Sequence, residues 1–559
     1  MKKLPSGVSN YEELINDDYY YVDKTEYIEK LENYPNKRIM FLRPRKFGKT
    51  LFTSTLENYY DIKKADKFET LFGDKYIGKN PTKIRNSYHI LKFNFSGIDT
   101  SNIEATLHSF KREVGSSINF FAQNYGLDFF VNMEEDAENI LDNLFKAFRY
   151  QRPEDKIFVI IDEYDHFANE LLGFNVSGFK DLVSKNGKVR KWYEILKKGT
   201  ESVVDRIFIT GVAPITLDGL TSGFNIVSDI TRDSDFNEMM GFTKEELINL
   251  MKAQNISDKE IEELLPIMKE NYNGYKFIEK ATERIYNSNM SLYFLNEYTR
   301  HKEMPTKMVD VNIASDYEKI GRMLNLCHGE KRLQILEDVI SSDGVLGDII
   351  QKFNPAVGFG DNEMISMLYY LGYLTVEKEE FGSEKLIIPN RVMREIYSDY
   401  FLKIVNEDLN FDKGTNYSIL LRDVAKEGSI EKTIELLKEY LTNLSNRDYQ
   451  RFDEKYVKIL FYSIVMNFRL AYLVKSEMEV ARKYPDILLV PKDPSKGYSA
   501  VMIEFKYLKK ENADKLEEKQ KEAKLQIEEY ANFEEIKNIA NLRKYTVIAV
   551  NDEVYVEEI

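Results

Sequence analysis

Two separate groups of residues in this chain have the types and spacing needed to handle phosphate. The first is Gly48-Lys49-Thr50, which follows an apolar run at 39–42 and precedes a helical pattern over 51–60. Backbone N–H groups at a helix N-terminus bind anions. A lysine at this spacing reaches the β- and γ-phosphates of a nucleotide, and the next hydroxyl ligates Mg²⁺. The sequence therefore predicts a phosphate-binding loop between a strand and a helix.

This loop departs from the usual pattern at its first position, where Arg43 stands in place of glycine. Glycine permits a positive φ there, whereas Pro44 fixes its own φ, so the chain must turn by another route. Six lysines and arginines between 37 and 49, with no acid among them, suit a polyanionic ligand. An ordinary basic turn is the alternative for the tripeptide alone. The predicted nucleotide-binding residues are Arg43, Pro44, Arg45, Lys46, Phe47, Gly48, Lys49, Thr50 and Leu51.

Acidic residues end a second apolar run, at 157–161, in which four of five residues are branched at Cβ. Such a run is typical of a parallel strand buried on both faces. Asp162 is predicted to hold the Mg²⁺ shell, and Glu163 to orient or deprotonate an attacking water. The alternative is a surface turn, but carboxylates this close repel each other unless a cation is near.

A third apolar run, at 206–211, predicts another parallel strand with Thr210 near its end. Ligands of open α/β sheets bind at the carboxyl ends of the strands. Thr210 is therefore predicted either to sense the γ-phosphate or to form a strand-terminal hydrogen bond. The aromatic and acidic segment 11–34, which includes the tyrosine-rich stretch 19–25, likewise has two interpretations: it packs beside a nucleotide base, or it forms a helical lead-in that packs on the sheet.

The second group lies near the C-terminus. Pro485-Asp486 begins an apolar run, and after a turn Glu504 and Lys506 stand two apart in another. Residues two apart on a strand project from the same face. Two carboxylates bind a hard cation such as Mg²⁺ through oxygen, and a lysine can activate a water and offset charge on a phosphate. Asp486 and Glu504 are therefore the predicted metal ligands, and Lys506 is the predicted catalytic lysine.

Two further residues are predicted to reach this second site. Glu454 lies on a helix predicted over 452–473, and Gln526 lies in the last part of another predicted helix. The alternative for the whole group is an exposed hairpin with a Glu/Lys pair. A final apolar run at 545–550 completes the predicted α/β core.

Length, net charge and cysteine content limit the number of domains and the class of protein to which this chain can belong. A chain of 559 residues is too long for one core and predicts three or four domains. Net charge of −15 argues against a generally basic nucleic-acid binder, but not against a local basic cleft. The single cysteine excludes an internal disulfide framework. Since no apolar run reaches membrane length and no signal-peptide core follows Met1, we expect a cytoplasmic protein without membrane contact.

The middle of the chain connects the two groups. Residues 236–304 are helical and charged, and Thr243 with Glu246 forms a capping-box pattern. Residues 305–405 show helix, strand, charged hairpin, strand and helix in that order, which resembles a winged-helix module. Because its wing at 377–380 is acidic, we expect this module to pack within the protein rather than to bind DNA.

These motifs together resemble a bacterial family in which an AAA-ATPase-like domain precedes a PD-(D/E)XK nuclease superfamily domain. The family loop, Leu-Arg-Pro-Arg-(Arg/Lys)-Phe-Gly-Lys-(Ser/Thr), fits residues 42–50, so the missing glycine is a family feature. The segments 161–165, 210–211, 272–275 and 285–287 also fit. Asp486, Glu504 and Lys506 fall on the nuclease signature, with Glu454 and Gln526 as accessories. Arg-Lys-Tyr-Pro-Asp stands at 482–486 where the family usually has Gly-Arg-x-Asp.

The resemblance implies an α/β multidomain fold. The expected domains are a P-loop parallel-sheet ATPase domain at 1–235, a helical lid at 236–304, a winged-helix-like domain at 305–405, and a helical connector with a restriction-endonuclease-like domain at 406–559. The implied cofactors are ATP and Mg²⁺, and the implied partners are DNA or RNA. A second copy of the chain is a further expected partner, because no arginine finger can be assigned within the sequence.

Two functional hypotheses follow. In the first, the nucleotide state of the ATPase domain gates a metal-dependent nuclease, a design that suits defence or mobile-element biology. In the second, the protein is a nucleotide-dependent switch or scaffold whose nuclease-like domain binds a partner without cleaving it. Net charge of −15 and the acidic wing favour the second hypothesis. A variant of either is a domain that binds ATP but barely hydrolyses it.

Overall fold

A computed structural model of the chain describes residues 2–167, 187–214, 225–309, 330–340, 344–353, 360–409, 414–443, 453–476 and 484–559. The chain divides into two compact units. The N-terminal unit comprises Met1–Cys327 and Leu346–Asn390, and the C-terminal unit comprises His328–Val345 and Arg391–Ile559. Within the described ranges, no helix combines the length and apolar character needed to cross a membrane.

A five-stranded parallel sheet forms the centre of the N-terminal unit. Its strands are β1 (Arg38–Leu42), β2 (His89–Asn94), β3 (Ile157–Asp162), β4 (Val204–Gly211) and β5 (Ser228–Asp229). They lie in the order β2-β3-β4-β1-β5, and every neighbouring pair is parallel. The predicted parallel sheet is therefore confirmed. Because the strands are parallel, the phosphate loop after β1 and Asp162 at the end of β3 meet at one edge.

Helices cover this sheet because their apolar residues recur at three- and four-residue steps. In Ala137–Gln151, for example, Ile140, Leu141, Leu144 and Phe148 are all buried. The other helices before the lid are Tyr11–Asn16, Glu26–Asn33, Lys49–Tyr60, Phe68–Phe72, Tyr76–Lys79, Ile103–Tyr125 and Lys188–Gly199. Trp192, the only tryptophan of the chain, is fully buried in the N-terminal unit.

The segment 236–304, which was predicted to be a helical lid and is called the lid region below, contains the helices Lys244–Ala253, Asp258–Tyr272 and Ser288–His301. The first begins with the predicted capping box of Thr243 and Glu246, and the second begins with a capping box of Ser257 and Glu260. Asn287 caps the third helix by accepting a hydrogen bond from the Met290 N–H. These caps place the start of each helix at a defined residue.

A small three-stranded sheet follows the lid in sequence. Its strands are β6 (Val345–Gly347), β7 (Thr375–Glu380) and β8 (Ser383–Ile387), in the order β6-β8-β7, and helix Asp361–Tyr370 precedes the hairpin. The predicted element order is thus present. However, the two compact units divide at residue 390, so the helix after the hairpin, Arg391–Leu409, belongs to the C-terminal unit rather than to one 305–405 domain.

A mixed five-stranded sheet forms the centre of the C-terminal unit. Its strands are β9 (Tyr472–Lys475), β10 (Ile487–Pro491), β11 (Ala500–Leu508), β12 (Leu542–Val550) and β13 (Glu553–Glu558), in the order β13-β12-β11-β10-β9. β11 and β12 are parallel, and the other pairs are antiparallel. The accompanying helices are Glu330–Ile340, Arg391–Leu409, Tyr417–Glu427, Glu431–Asn443, Glu454–Val465 and Leu516–Ala531.

The helix predicted over 452–473 is shorter than expected. Residue 452 lies outside the described residues; the helix begins at Glu454 and ends at Val465. A short 3₁₀ turn follows, and then β9, in which Tyr472 and Val474 are buried while Leu473 and Lys475 are half-buried. This apolar stretch is a strand because it pairs with β10. A short apolar run fits a strand and a buried helix equally well, so the sequence pattern alone did not separate the two. The edge strand β13 was not predicted either, because its sequence is rich in charged residues and forms no long apolar run.

Arg43 anchors the start of the phosphate loop to the lid region. Its side chain is 1% exposed and donates hydrogen bonds to the carbonyls of Leu42 (2.9 Å), Thr231 (2.8 Å) and Phe236 (3.1 Å). The guanidinium also lies over the rings of Phe41 and Phe277, at 4.1 and 4.0 Å from their centroids. The Arg43 side chain therefore binds backbone carbonyls within the fold, and it was predicted instead to bind the nucleotide.

Replacing Arg43 by methionine is expected to destabilise the N-terminal unit by about 2–4 kcal/mol, because several buried carbonyls lose a charged donor. Denaturant unfolding followed by the fluorescence of Trp192 measures this change. Arg149→Met removes the same charge from an exposed helix position and is expected to change the free energy of unfolding by less than about 0.5 kcal/mol. Unchanged stability in Arg43→Met, with ATP binding lost, would contradict the anchoring role.

Candidate functional site

The phosphate loop turns without a glycine at its first position. Positive φ angles occur instead at Lys46 (+67°) and Gly48 (+96°), and helix Lys49–Tyr60 begins directly after Gly48. Pro44 packs against Gly372, where a Cβ would lie 2.7 Å from the Pro44 Cβ. The turn that glycine usually makes is therefore moved three to five residues along the loop, and a packed proline holds its first part.

Residues of the lid region hold the rest of the loop. The buried ring of Phe47 lies edge-on to Tyr275, with centroids 4.9 Å apart. The Gly241 N–H donates a 3.1 Å hydrogen bond to the Phe47 carbonyl, and the Ser288 hydroxyl donates one of 3.1 Å to the Lys46 carbonyl. These contacts order the loop without a ligand, which reduces the conformational entropy lost on binding.

Lys49 points back into the loop. Its ammonium donates hydrogen bonds to the carbonyls of Arg43 (3.0 Å) and Pro44 (3.1 Å) and lies 3.9 Å from the Glu163 carboxylate. The side chain is 4% exposed. Among the described residues, its hydrogen-bond and ion-pair partners are two carbonyls and one carboxylate. An ammonium so placed retains a strong attraction for a phosphate group.

Asp162 is completely buried beneath the loop helix. In the described part of the chain, neither of its carboxylate oxygens has a hydrogen-bond partner of ordinary geometry. Burial raises the pKa of Asp162 and the charge of Glu163 raises it further, while the Thr50 hydroxyl and the Lys49 charge act in the opposite direction. A buried carboxylate without donors is unfavourable, and a divalent cation ligated with Thr50 would satisfy it. The residues present therefore fit Mg²⁺.

Two other polar side chains at this edge of the sheet, those of Thr210 and Asp165, make hydrogen bonds with backbone groups. The Thr210 hydroxyl is buried and donates a 2.9 Å hydrogen bond to the Phe41 carbonyl. Of the two interpretations of Thr210, this geometry matches the strand-terminal hydrogen bond. Asp165 accepts hydrogen bonds from the N–H groups of Val212 and Ala213, the shortest at 2.7 Å. The Asp165 carboxylate, two residues after Glu163, therefore stabilises the chain directly after β4.

A cavity of about 580 Å³ opens beside the loop, within the size range of small-molecule and nucleotide sites. Its lining includes Glu163, His166 and the loop residues Arg45, Lys46, Phe47, Gly48, Lys49, Thr50 and Leu51. The apolar part of the lining includes Tyr20, Tyr21, Val22, Met239, Met240, Leu250 and Leu292. Of the predicted binding residues, Arg43, Pro44, Asp162 and Thr210 do not line this cavity.

Several of these residues were not predicted as site residues. Met239, Met240 and Leu292 lie far from the loop in sequence, and nothing in their local pattern separates them from ordinary core residues. His166 has a ring nitrogen 3.4 Å from the Arg45 guanidinium. Only the segment containing Tyr20 and Tyr21 gave a usable signal, since packing beside a base was one of its two interpretations.

The structure also brings the predicted residues of the C-terminal group together. Asp486, Glu504 and Lys506 are all at least nine-tenths buried. The Lys506 ammonium lies 2.8 Å from the Glu504 carboxylate, and Asp486 accepts a 2.7 Å hydrogen bond from the Phe505 N–H. The pairing of β10 with β11 accounts for this, because it sets Asp486 beside the strand that carries Glu504 and Lys506.

Glu504 has one oxygen, Oε2, that is buried and has no hydrogen-bond partner in the ranges that the structure describes. Burial raises the pKa of Glu504 to about 7, with the Asp486 charge as the next cause, while Lys506 and Lys458 act against the rise. The described residues contain no group of three or more Cys, His, Asp and Glu side chains placed to hold a metal. Two carboxylates still fit Mg²⁺, which keeps several waters in its shell.

The accessory residues occupy different surroundings. Glu454 pairs with Lys458 one helical turn away, at 2.9 Å, and Lys458 also lies 2.7 Å from Asp486. Lys458 was not predicted as a site residue, because a lysine four positions after a glutamate is also the pattern of an ordinary helix ion pair. The Gln526 Oε1 is buried without a hydrogen-bond partner among the described residues, and its membership of the site remains a prediction.

Comparisons with known proteins agree with this arrangement. The family model described as "Predicted AAA-ATPase" matches residues 5–221, and the model described as "PD-(D/E)XK nuclease superfamily" matches residues 452–559. A curated relative, the "Uncharacterized protein in vnfD 5'region" of Azotobacter chroococcum mcd 1, is 23% identical over 399 residues, which cover 70% of this chain and 68% of the relative. The chain thus carries a predicted AAA-ATPase domain at 5–221 and a C-terminal domain of the PD-(D/E)XK nuclease superfamily at 452–559.

Proposed function

We propose that the N-terminal unit binds and hydrolyses ATP with Mg²⁺ in the cavity beside the phosphate loop. The observation that carries this proposal is the fully buried Asp162 at the end of β3. Among the described residues its two oxygens lack a hydrogen-bond partner of ordinary geometry, and Lys49 and Thr50 lie at the same edge of the sheet. In this proposal the triphosphate binds against the loop residues, and the base packs against apolar residues of the lining such as Tyr20 and Met239.

Each residue has a distinct role in this proposal. Lys49 leaves the loop carbonyls and donates to the β- and γ-phosphates, while backbone N–H groups at the start of its helix bind the phosphates. Thr50 and Asp162 hold Mg²⁺, which supplies charge neutralisation to the phosphates. Glu163, whose side chain is 19% exposed, orients the attacking water and accepts its proton.

We also propose that the C-terminal unit cleaves phosphodiester bonds of nucleic acid. Asp486 and Glu504 hold Mg²⁺, which supplies Lewis-acid polarisation of the phosphate. Lys506 positions the attacking water and offsets negative charge in the transition state. The water oxygen forms a new bond to phosphorus and releases a proton to the solvent. The bond from phosphorus to the leaving sugar oxygen breaks, and that oxygen takes up a proton from solvent water.

In this proposal the nucleotide state of the first unit regulates cleavage by the second. Incubation with plasmid, linear and single-stranded DNA and with RNA, in Mg²⁺ or Mn²⁺, with and without ATP, tests the substrate class and the regulation together. Cleavage that is independent of ATP would contradict the regulation. Binding of nucleic acid without cleavage under all of these conditions would favour the scaffold hypothesis. Phosphate release per chain that rises with protein concentration would indicate that a second copy completes the ATPase site.

Lys49→Ala is expected to weaken ATP binding by about 100-fold or more, because a buried charged donor to the phosphates is lost. Calorimetric titration with ATP and Mg²⁺ measures the affinity, and Trp192 fluorescence checks that the unit remains folded. Lys37→Ala is the matched control, since Lys37 precedes β1 at the opposite end from the loop and pairs with Asp205. Similar ATP affinity in Lys49→Ala and Lys37→Ala would contradict the site.

Lys506→Ala is expected to lower nucleic-acid cleavage by about 100-fold or more while sparing ATP binding, because it removes a charge only from the second site. Lys509→Ala, an exposed lysine just after β11, is the matched control. Cleavage rates on the substrate identified above and ATP affinity are compared across the three proteins. Undiminished cleavage by Lys506→Ala would remove Lys506 from the catalytic role.

A further inference from the structure

Lys458 lies beside the carboxylates of the proposed C-terminal metal site. Its ammonium lies 2.7 Å from Asp486 Oδ1 and 2.9 Å from Glu454 Oε1, and its side chain is 21% exposed. The other oxygen of Asp486, Oδ2, accepts the hydrogen bond from the Phe505 N–H. Both oxygens of Asp486 are therefore already engaged by donors of the protein.

The second metal ligand differs from Asp486. Glu504 Oε1 is paired with Lys506 at 2.8 Å, whereas Oε2 is buried and unpartnered within the described ranges. A cation can ligate Glu504 Oε2 without displacing a donor of the described residues, whereas at Asp486 Oδ1 it must compete with the Lys458 ammonium. The two ligands are thus unequally accessible to a metal.

We propose that Lys458 is a built-in counter-cation that competes with the divalent metal for Asp486 and so lowers the affinity of the site for metal. This inference rests on the proposed nuclease function, and it assigns Lys458 a role opposite to that of a ligand-positioning residue. When the metal binds, the ammonium leaves Asp486 and stays with Glu454, which lies on the same helix one turn away.

The charges of the site support this exchange. Asp486 and Glu504 are buried together, Lys506 pairs with Glu504, and Lys458 links Asp486 to Glu454. Without metal, the two lysines keep the buried carboxylates from standing unpaired, which would be strongly destabilising. With metal, Lys458 becomes an additional positive charge close to a divalent cation, and this repulsion weakens binding.

The decisive experiment is a calorimetric titration of the full-length chain with Mn²⁺ alone, at fixed pH and without nucleic acid. Lys458→Gln is expected to bind Mn²⁺ about tenfold more tightly or better, because it removes a positive charge within a few ångströms of the cation. Lys458→Arg, which keeps the charge, is expected to bind no more tightly than the wild type. Lys455→Gln removes a charge from the same helix, at a side chain paired with Asp338, and is expected to match the wild type.

Two results overturn the inference alone. Equal Mn²⁺ affinity in Lys458→Gln and the wild type would show that the lysine does not compete with the metal. Weaker binding by Lys458→Gln would show that Lys458 positions Asp486 for the metal. In both cases a Mn²⁺ site that is present in the wild type and absent from Asp486→Asn would leave the proposed C-terminal metal site intact, whether or not Asp162 binds Mn²⁺ as well. Absence of Mn²⁺ binding in the wild type would overturn the site and the inference together.

Folding of the variants is checked by thermal unfolding with and without Mn²⁺. Metal-free Lys458→Gln is expected to unfold at a lower temperature than the wild type. Its unfolding temperature is expected to rise more on addition of Mn²⁺ than that of the wild type. Lys458→Ala, which leaves space for water beside Asp486, is the second variant. If neither variant folds without metal, Mn²⁺ is expected to restore folding at a lower concentration than stabilises the wild type, and failure to restore it would overturn the inference.

Discussion

A carboxylate that is buried by a fold requires a positive charge or hydrogen-bond donors nearby, and both units of this protein are arranged around that requirement. In the N-terminal unit, Asp162 is completely buried at the end of β3 with no donor of ordinary geometry in the described residues. In the C-terminal unit, Asp486 and Glu504 are buried together. The proposed cofactor and the proposed chemistry of each unit follow from how this requirement is met.

The two units meet the requirement differently. Lys49 directs its ammonium to loop carbonyls, so the Asp162 oxygens stay open to a cation. In the C-terminal unit, Lys458 and Lys506 bind the carboxylates directly. In the proposed N-terminal site a metal would supply the missing positive charge, whereas the C-terminal carboxylates are already paired with lysines before a metal binds. This difference follows from where lysines stand relative to the strand ends.

The phosphate loop shows how packing replaces a missing local signal. Glycine is absent from the first loop position, yet Pro44 packs on Gly372 and the Phe47 ring packs against Tyr275. Arg43 adds buried hydrogen bonds to the carbonyls of Thr231 and Phe236. The loop conformation therefore depends on residues more than 180 positions away in sequence, and a local pattern match does not reveal them.

The sequence alone determined the features that have a local cause. Continuous apolar runs predicted the parallel strands, because burial on both faces excludes polar residues, and the spacing of Glu504 and Lys506 predicted a shared face because strands alternate with period two. Tertiary structure decided which side chains are free to act. Arg43 and Thr210 are engaged by backbone carbonyls, and Lys458 reaches Asp486 across the fold. Such pairings depend on which elements become neighbours, and residue type and local spacing do not contain that information.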